Sequence, residues 1–231
     1  MGEEIHYDMD VWKNCDCKEN RRIERAFQSS RITFEFQKKS FDSFNLESLH
    51  ESIRGAYHCS RNYTSNFHEF KANRHNSIAL LGQSGSGKTH LLMAISNELM
   101  SSGKQKVLYF PWVEGFHEIK DDLSLTEERI QRMQQVDVLF IDDMFKGRKE
   151  PTPFQIEVAF AVINHRYMEK KPILISSERD IDQICGFDEA LGSRIKEMCA
   201  DFLVIIKGGR ELNFRIREDS DEFADRRRVR H

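Results

Sequence analysis

The chain has 231 residues, 39% of them hydrophobic and 32% charged, with a formal net charge of -3. That length suits one substantial α/β domain with short appendages, and the charge balance excludes a generally basic surface, so any nucleic-acid contact must come from a local patch or from several subunits together. No stretch approaches the ~20 apolar residues that span a bilayer, the acidic start Met1-Gly2-Glu3-Glu4 lacks the apolar core of a secretory signal, and five cysteines in no regular framework fit a reducing cytoplasm.

Residues 1–40 differ in composition from the rest and read as an N-terminal linker. Cys15-Asp16-Cys17 cannot complete a tetrahedral zinc site alone; His6 offers either a third ligand or a solvent-facing side chain. The basic run from Lys18 to Phe27, with Arg21, Arg22 and Arg25, predicts a helix, and Arg31 to Phe36 alternates like a short strand. Phe41-Asp42-Ser43-Phe44 reads as a loop, after which Asn45 can cap a helix running towards Ala72.

Five short apolar runs then read as buried strands: Ser77–Leu81, Lys106–Phe110, Asp137–Ile141, Pro172–Ser176 and Phe202–Ile206. Helical patterns lie between them. His90–Leu99 follows the first strand, and Ser124-Leu125-Thr126-Glu127 is a capping box opening a helix to about Gln135. Thr152-Pro153-Phe154-Gln155 is a second box with proline in the first helical position, and Ile156, Phe160, Ile163 and Tyr167 follow at core-facing intervals. Such alternation implies an α/β fold with a mainly parallel five-stranded sheet and helices on both faces, spanning residues 41–217. In residues 218–231 an acidic run, Glu218–Asp225, precedes the basic Arg226–Arg230 with almost nothing apolar, which reads as a disordered tail.

The strongest motif is Gly82-Gln83-Ser84-Gly85-Ser86-Gly87-Lys88-Thr89, which matches G-x-x-x-x-G-K-[ST] at every fixed position. A predicted strand precedes it and a predicted helix follows. Glycines let the backbone curl so that successive N–H groups point at phosphate oxygens, and the helix N-terminus adds partial positive charge. Lys88 can reach the β- and γ-phosphates, and the Thr89 hydroxyl can ligate Mg²⁺. The segment Val138-Leu139-Phe140-Ile141-Asp142-Asp143 ends an apolar strand with two acids. In a parallel sheet that end lies beside the phosphate loop, so Asp142 suits the metal and Asp143 suits the base that orients and deprotonates water. Asp143 is one methylene shorter than the glutamate common at this place in fast hydrolases with such a loop, and that comparison implies hydrolysis that is slow or needs a partner.

These residues together resemble the bacterial and phage helicase loaders of DnaC/DnaI type, AAA+ ATPases close to the IstB transposition ATPases. The resemblance is carried by Gly82 to Leu91, with His90-Leu91 after the loop, by Val138 to Met144, and by Gln155 to Tyr167. It is carried also by Ile173 to Ser177, by Gly192-Ser193-Arg194-Ile195, and by a linker from Cys17 to Phe44. It implies ATP or ADP with Mg²⁺ as ligands, the nucleotide between subunits of a homo-oligomer, and the hexameric replicative helicase and single-stranded DNA as partners. It makes Arg194 an arginine finger reaching a neighbour's site, and Arg215, in preference to Arg210, the sensor-2 arginine. The family usually has Asn at sensor 1, whereas this chain has Ser176-Ser177-Glu178. Glu178 falls at that place, where it would repel a γ-phosphate unless paired or turned away, and Ser177 is the substitute polar contact. Related loaders carry a zinc-binding domain at the N-terminus, and the resemblance offers two readings of Cys15 and Cys17: the remnant of such a domain with its first two ligands upstream, or thiols that hold no metal.

Cys59, Cys185 and Cys199 read as buried or incidental thiols. Trp112 and Phe116 lie where initiator-like ATPases help bind single-stranded DNA, and they read either as base-stacking platforms or as loop packing. Lys104, Lys106, Lys146, Arg148, Lys149 and the basic tail are candidate contacts to nucleic-acid phosphates or simply solvated charges. Two further functions share the core: a transposition helper ATPase, and an adaptor that binds ATP with little turnover.

Overall fold

A computed structural model describes residues 25–46, 49–102, 105–121 and 123–216. Cys15, Cys17, His6, Lys104 and the 218–231 tail lie outside the described residues. Residues 25–30 form helix α1, followed by α2 (Phe34–Gln37) and α3 (Glu51–Phe70). Then come β1 (Ile78–Gly82), α4 (Lys88–Ser101), β2 (Val107–Pro111) and α5 (Trp112–Asp121). They lead to α6 (Thr126–Gln135), β3 (Val138–Asp142), α7 (Pro153–Met168) and β4 (Ile173–Ser177). Helices α8 (Ile181–Phe187) and α9 (Glu189–Met198) precede β5 (Leu203–Ile206).

The five strands form one parallel sheet in the order β2-β3-β4-β1-β5. Because side chains alternate along a strand, each strand feeds two cores. Ile78, Leu80, Tyr109, Phe140 and Leu174 join α3 and α4 on one face. Ala79, Leu81, Leu108, Leu139, Ile141 and Ile175 join residues of α5, α6, α7, α8 and α9 on the other. Residues 25–40 pack onto the first core, where Ala26 and Ile32 are buried. They are tied to α4 by Asn97, whose side-chain amide donates to the carbonyls of Phe36, Gln37 and Lys39.

All five expected strands form, within a residue of where the apolar runs placed them. Three local expectations do not hold. Arg31 to Phe36 is not a strand: Phe34 begins a short helix and lies 70% exposed, while Ile32 is buried, so the alternation never described one face of a sheet. Asn45 does not cap α3. The buried Leu49 anchors the chain first, and the imidazole of His50 takes the cap by accepting from the Ser52 N–H at 3.2 Å. The Ser124–Glu127 box does not close either. Leu123–Leu125 is a 3-10 turn, so α6 opens at Thr126 and Glu127 falls one residue short of the third helical position a box requires. The Thr152 box forms as expected, with Gln155 N–H to Thr152 Oγ1 at 3.3 Å and Thr152 N–H to Gln155 Oε1 at 3.0 Å.

Arg166 holds the sheet's far end. It is fully buried on α7, and its two Nη atoms donate to five carbonyls, those of Met133, Gln134, Val136, Asp137 and Pro172. Backbone oxygens rather than a carboxylate surround it, and burial brings its pKa down to about 9. Among the described residues no helix is long and apolar enough to cross a membrane, and no group of three or more His, Cys, Asp or Glu is placed to hold a metal ion.

Candidate nucleotide site

The C-terminal ends of β1, β3 and β4 meet at one edge of the sheet, as parallel pairing requires. The chain leaves β1 through the glycine-rich turn and enters α4 at Lys88. Gly82, Gly85 and Gly87 have φ of 104°, 73° and 86°, a region costly for any residue with a Cβ. Space is as restrictive as torsion: a Cβ on Gly82 would run into the Ile206 carbonyl and one on Gly87 into the Phe44 ring. The turn therefore depends on glycine twice over.

An open cleft of about 860 Å³ lies over this turn, within the range of small-ligand sites. Ser84, Gly85, Ser86, Gly87, Lys88, Thr89 and His90 line it from the loop, and Asp142, Asp143, Lys146 and Glu178 from the strand ends. Gly82 and Gln83 sit at the root of the turn. Their carbonyls accept from Lys88 Nζ at 2.9 and 2.6 Å, and Gln83 N–H donates to Ile206 O at 2.9 Å. Lys88 is thus a buried ammonium held by carbonyls alone, and burial lowers its pKa to about 8. A phosphate anion is the partner that such a cation lacks. The donor set fits a nucleotide triphosphate with its divalent cation.

Asp142 is the organising acid. Thr89 Oγ1 and Ser176 Oγ donate to its Oδ1 at 2.8 and 2.5 Å, and Tyr109 OH donates to its Oδ2 at 3.0 Å. Burial pushes its pKa above the ordinary carboxylate value, and the three hydroxyl donors pull against that shift. Asp143 follows with φ of 55°, a left-handed conformation that aspartate tolerates better than most residues. That kink turns its N–H onto Ser176 Oγ at 2.7 Å and leaves its carboxylate over the cleft, 2.7 Å from Lys146 Nζ. Lys146 also lies 3.5 Å from Glu178 Oε1. Partial burial would raise the Glu178 pKa, but a hydrogen bond from Ser84 and the charges of Lys146 and Lys88 hold it below the usual range.

Ser177 is corrected by this geometry. Its hydroxyl is fully buried, donates to Met144 O at 2.6 Å and accepts from Arg179 N–H at 3.0 Å, so it faces away from the cleft. Strand alternation gives the inward role to Ser176 instead. His90 lies at the cleft's other wall, its Nε2 within 2.9 Å of Ser40 O and its ring edge-on to Phe44, and burial lowers its pKa. Phe214 and Arg215 close that side, whereas Arg210 is not among the lining residues. Arg194 stands apart from its own chain's cleft. It lies on α9, donates from Nη1 to Ala190 O at 2.7 Å, and rests over the rings of Phe160 and Tyr167.

Trp112 and Phe116 are buried and packed on each other with centroids 4.5 Å apart, which removes them as base-stacking platforms. Cys199 is fully buried, and Cys59 and Cys185 are partly so. Tyr109, Ser176 and the position of Lys146 in the cleft escaped the sequence reading. The signals were faint: a single hydroxyl tip in an apolar strand, the first of two serines at a strand end, and a lysine three residues past an aspartate.

Sheet order, phosphate loop and paired acids define an AAA+ nucleotide-binding domain. The model of the bacterial DnaA ATPase domain matches residues 37–200, and the chain belongs to that family. It is 48% identical over 212 residues to the phage-like element PBSX protein XkdC of Bacillus subtilis (strain 168), covering 90% of this chain and 80% of that protein. Its fold is shared with the DnaC helicase loader, with a TM-score of 0.62 at 21% identity over 76% of this chain and 100% of that one. It is shared too with the replication initiator DnaA bound to AMPPCP and single-stranded DNA, with a TM-score of 0.61 at 24% identity over 84% of this chain. The chain spans 57% of that DnaA chain.

Proposed function

We propose that the chain binds and hydrolyses Mg-ATP in this cleft and uses the cycle to load or remodel the replicative hexameric helicase on single-stranded DNA. The observation that carries the nucleotide assignment is the buried Lys88 ammonium, held only by carbonyls, across from an Asp142 already gripped by Thr89. Loop amides from Ser84 to Thr89 and Lys88 Nζ would hold the β- and γ-phosphates, with Thr89 and Asp142 holding the Mg²⁺. When bound, Mg²⁺ supplies positive charge that neutralises the phosphate oxygens. Asp143 is the base for the attacking water, Arg215 reaches the nucleotide from its own chain, and Arg194 acts on a neighbour's nucleotide in an oligomer. The position of Arg194, on α9 and away from the residues that line its own cleft, supports that last role.

The replication role rests on membership of the DnaA ATPase-domain family and on the fold held in common with a helicase loader. Co-purification of the chain with a replicative helicase, with and without Mg-ATP, tests it. Nucleotide-dependent capture is the expected result, and no capture in either condition refutes the loader role. One observation favours a second reading, an adaptor with little turnover: Asp143 is tied to Lys146 rather than free to take a proton. Turnover with helicase and single-stranded DNA, compared with Lys88→Ala, separates the two.

A further inference from the structure

We infer that Lys146 is a γ-phosphate-selecting residue, releasing Asp143 and Glu178 when a triphosphate occupies the cleft. The inference deepens the nucleotide-site reading and rests on it. Four carboxylates line a cleft whose ligand is itself an anion: Glu114, and at the strand ends Asp142, Asp143 and Glu178. Asp142 is satisfied by three hydroxyls. Asp143 and Glu178 converge instead on one ammonium, Lys146 Nζ, at 2.7 and 3.5 Å. Glu178 is in turn hydrogen-bonded to Ser84 of the phosphate loop, so the Lys146 ammonium sits one carboxylate away from the loop that cradles the phosphates.

The segment carrying Lys146 is built for this position. The chain leaves β3 through two left-handed residues, Asp143 with φ of 55° and Phe145 with φ of 61°. Met144, between them, and Phe145 itself are buried in the second core, and the Met144 N–H donates to Ser176 O at 2.8 Å. The backbone is therefore anchored on both sides of the turn while the Lys146 side chain remains 37% exposed and able to swing. A terminal phosphate entering beside Lys88 competes with the two carboxylates for that ammonium. Its higher charge density favours the exchange, which frees Asp143 for water and offsets the repulsion from Glu178. A diphosphate does not extend far enough to make the exchange, so Lys146 distinguishes the two nucleotides.

The test is calorimetric binding of Mg-ADP and of Mg-AMPPCP, a triphosphate analogue, to the full chain and to three variants. Lys146→Ala is expected to weaken AMPPCP by about tenfold, the value of one lost charge-assisted contact, and to change ADP by less than about twofold. Lys146→Arg restores most of the loss. The double variant Lys146→Ala with Glu178→Gln recovers part of the AMPPCP binding, because one of the two carboxylates left uncompensated has gone. Equal weakening of ADP and AMPPCP, or no change in either, overturns the inference and leaves the nucleotide site standing. An unsubstituted chain that binds neither nucleotide overturns both.

Discussion

Ser176→Ala removes a single oxygen, yet that oxygen connects both acids of the site. The hydroxyl is fully buried, donates to Asp142 Oδ1 at 2.5 Å and accepts from the Asp143 N–H at 2.7 Å. Its loss withdraws one of three donors from a buried carboxylate, worth about 1.5–3 kcal/mol, and strands a backbone N–H at a further ~1–3 kcal/mol. Allowing for partial relaxation, the net cost is about 2–4 kcal/mol, and at ~2–4 °C per kcal/mol for a domain this size Tm should fall by roughly 4–16 °C. Thermal unfolding followed by circular dichroism reads the fall directly. Binding should separate the two consequences: the phosphate loop is untouched, so ADP still binds, while the Mg²⁺-dependent part of the affinity shrinks because Asp142 is no longer held in place. A Tm within about 1 °C of the unsubstituted chain, together with unchanged Mg²⁺ dependence, would refute the view that Ser176 orders the acids.

Lys88 has a pKa lowered by burial to about 8, so the empty cleft loses the buried one of its cations as pH rises through that value. Phosphate binding needs the ammonium, and nucleotide affinity should therefore fall by up to about tenfold per unit above pH 8 and stay level between pH 6 and 7.5; a flat profile to pH 9.5 contradicts this. Arg166→Met removes the guanidinium that donates to five carbonyls and should cost about 3–5 kcal/mol in urea unfolding, with a loss under 1 kcal/mol arguing against it. Arg194→Ala should leave nucleotide affinity within about twofold while lowering assembly-dependent turnover by at least about a hundredfold; loss of binding as severe as that of Lys88→Ala would show that the arginine serves its own chain.

The sheet was legible because each strand is a short apolar run with both faces covered, so hydrophobicity alone marks it. The phosphate loop was legible because its torsions admit only glycine at Gly82, Gly85 and Gly87. What failed was local choice decided by tertiary contact. The pattern of Ile32, Phe34 and Phe36 mimics a strand, but Ile32 goes to the core and Phe34 to solvent. Ser176 and Ser177 look equivalent in sequence, and only the pairing of β4 between β1 and β3 decides which hydroxyl reaches Asp142. Lys146 read as one surface lysine among several because the left-handed turn that carries it into the cleft depends on Asp143 and Phe145, neither a glycine.

Titration calorimetry of the intact chain and of Lys88→Ala with Mg-AMPPCP bears on the central claim more directly than any other measurement. One nucleotide per chain should bind to the unsubstituted protein, and removing the ammonium should weaken it by at least about thirtyfold, as expected for a lost charge-assisted contact in a buried site. Equal affinity in the two proteins, or no heat in either, would contradict it.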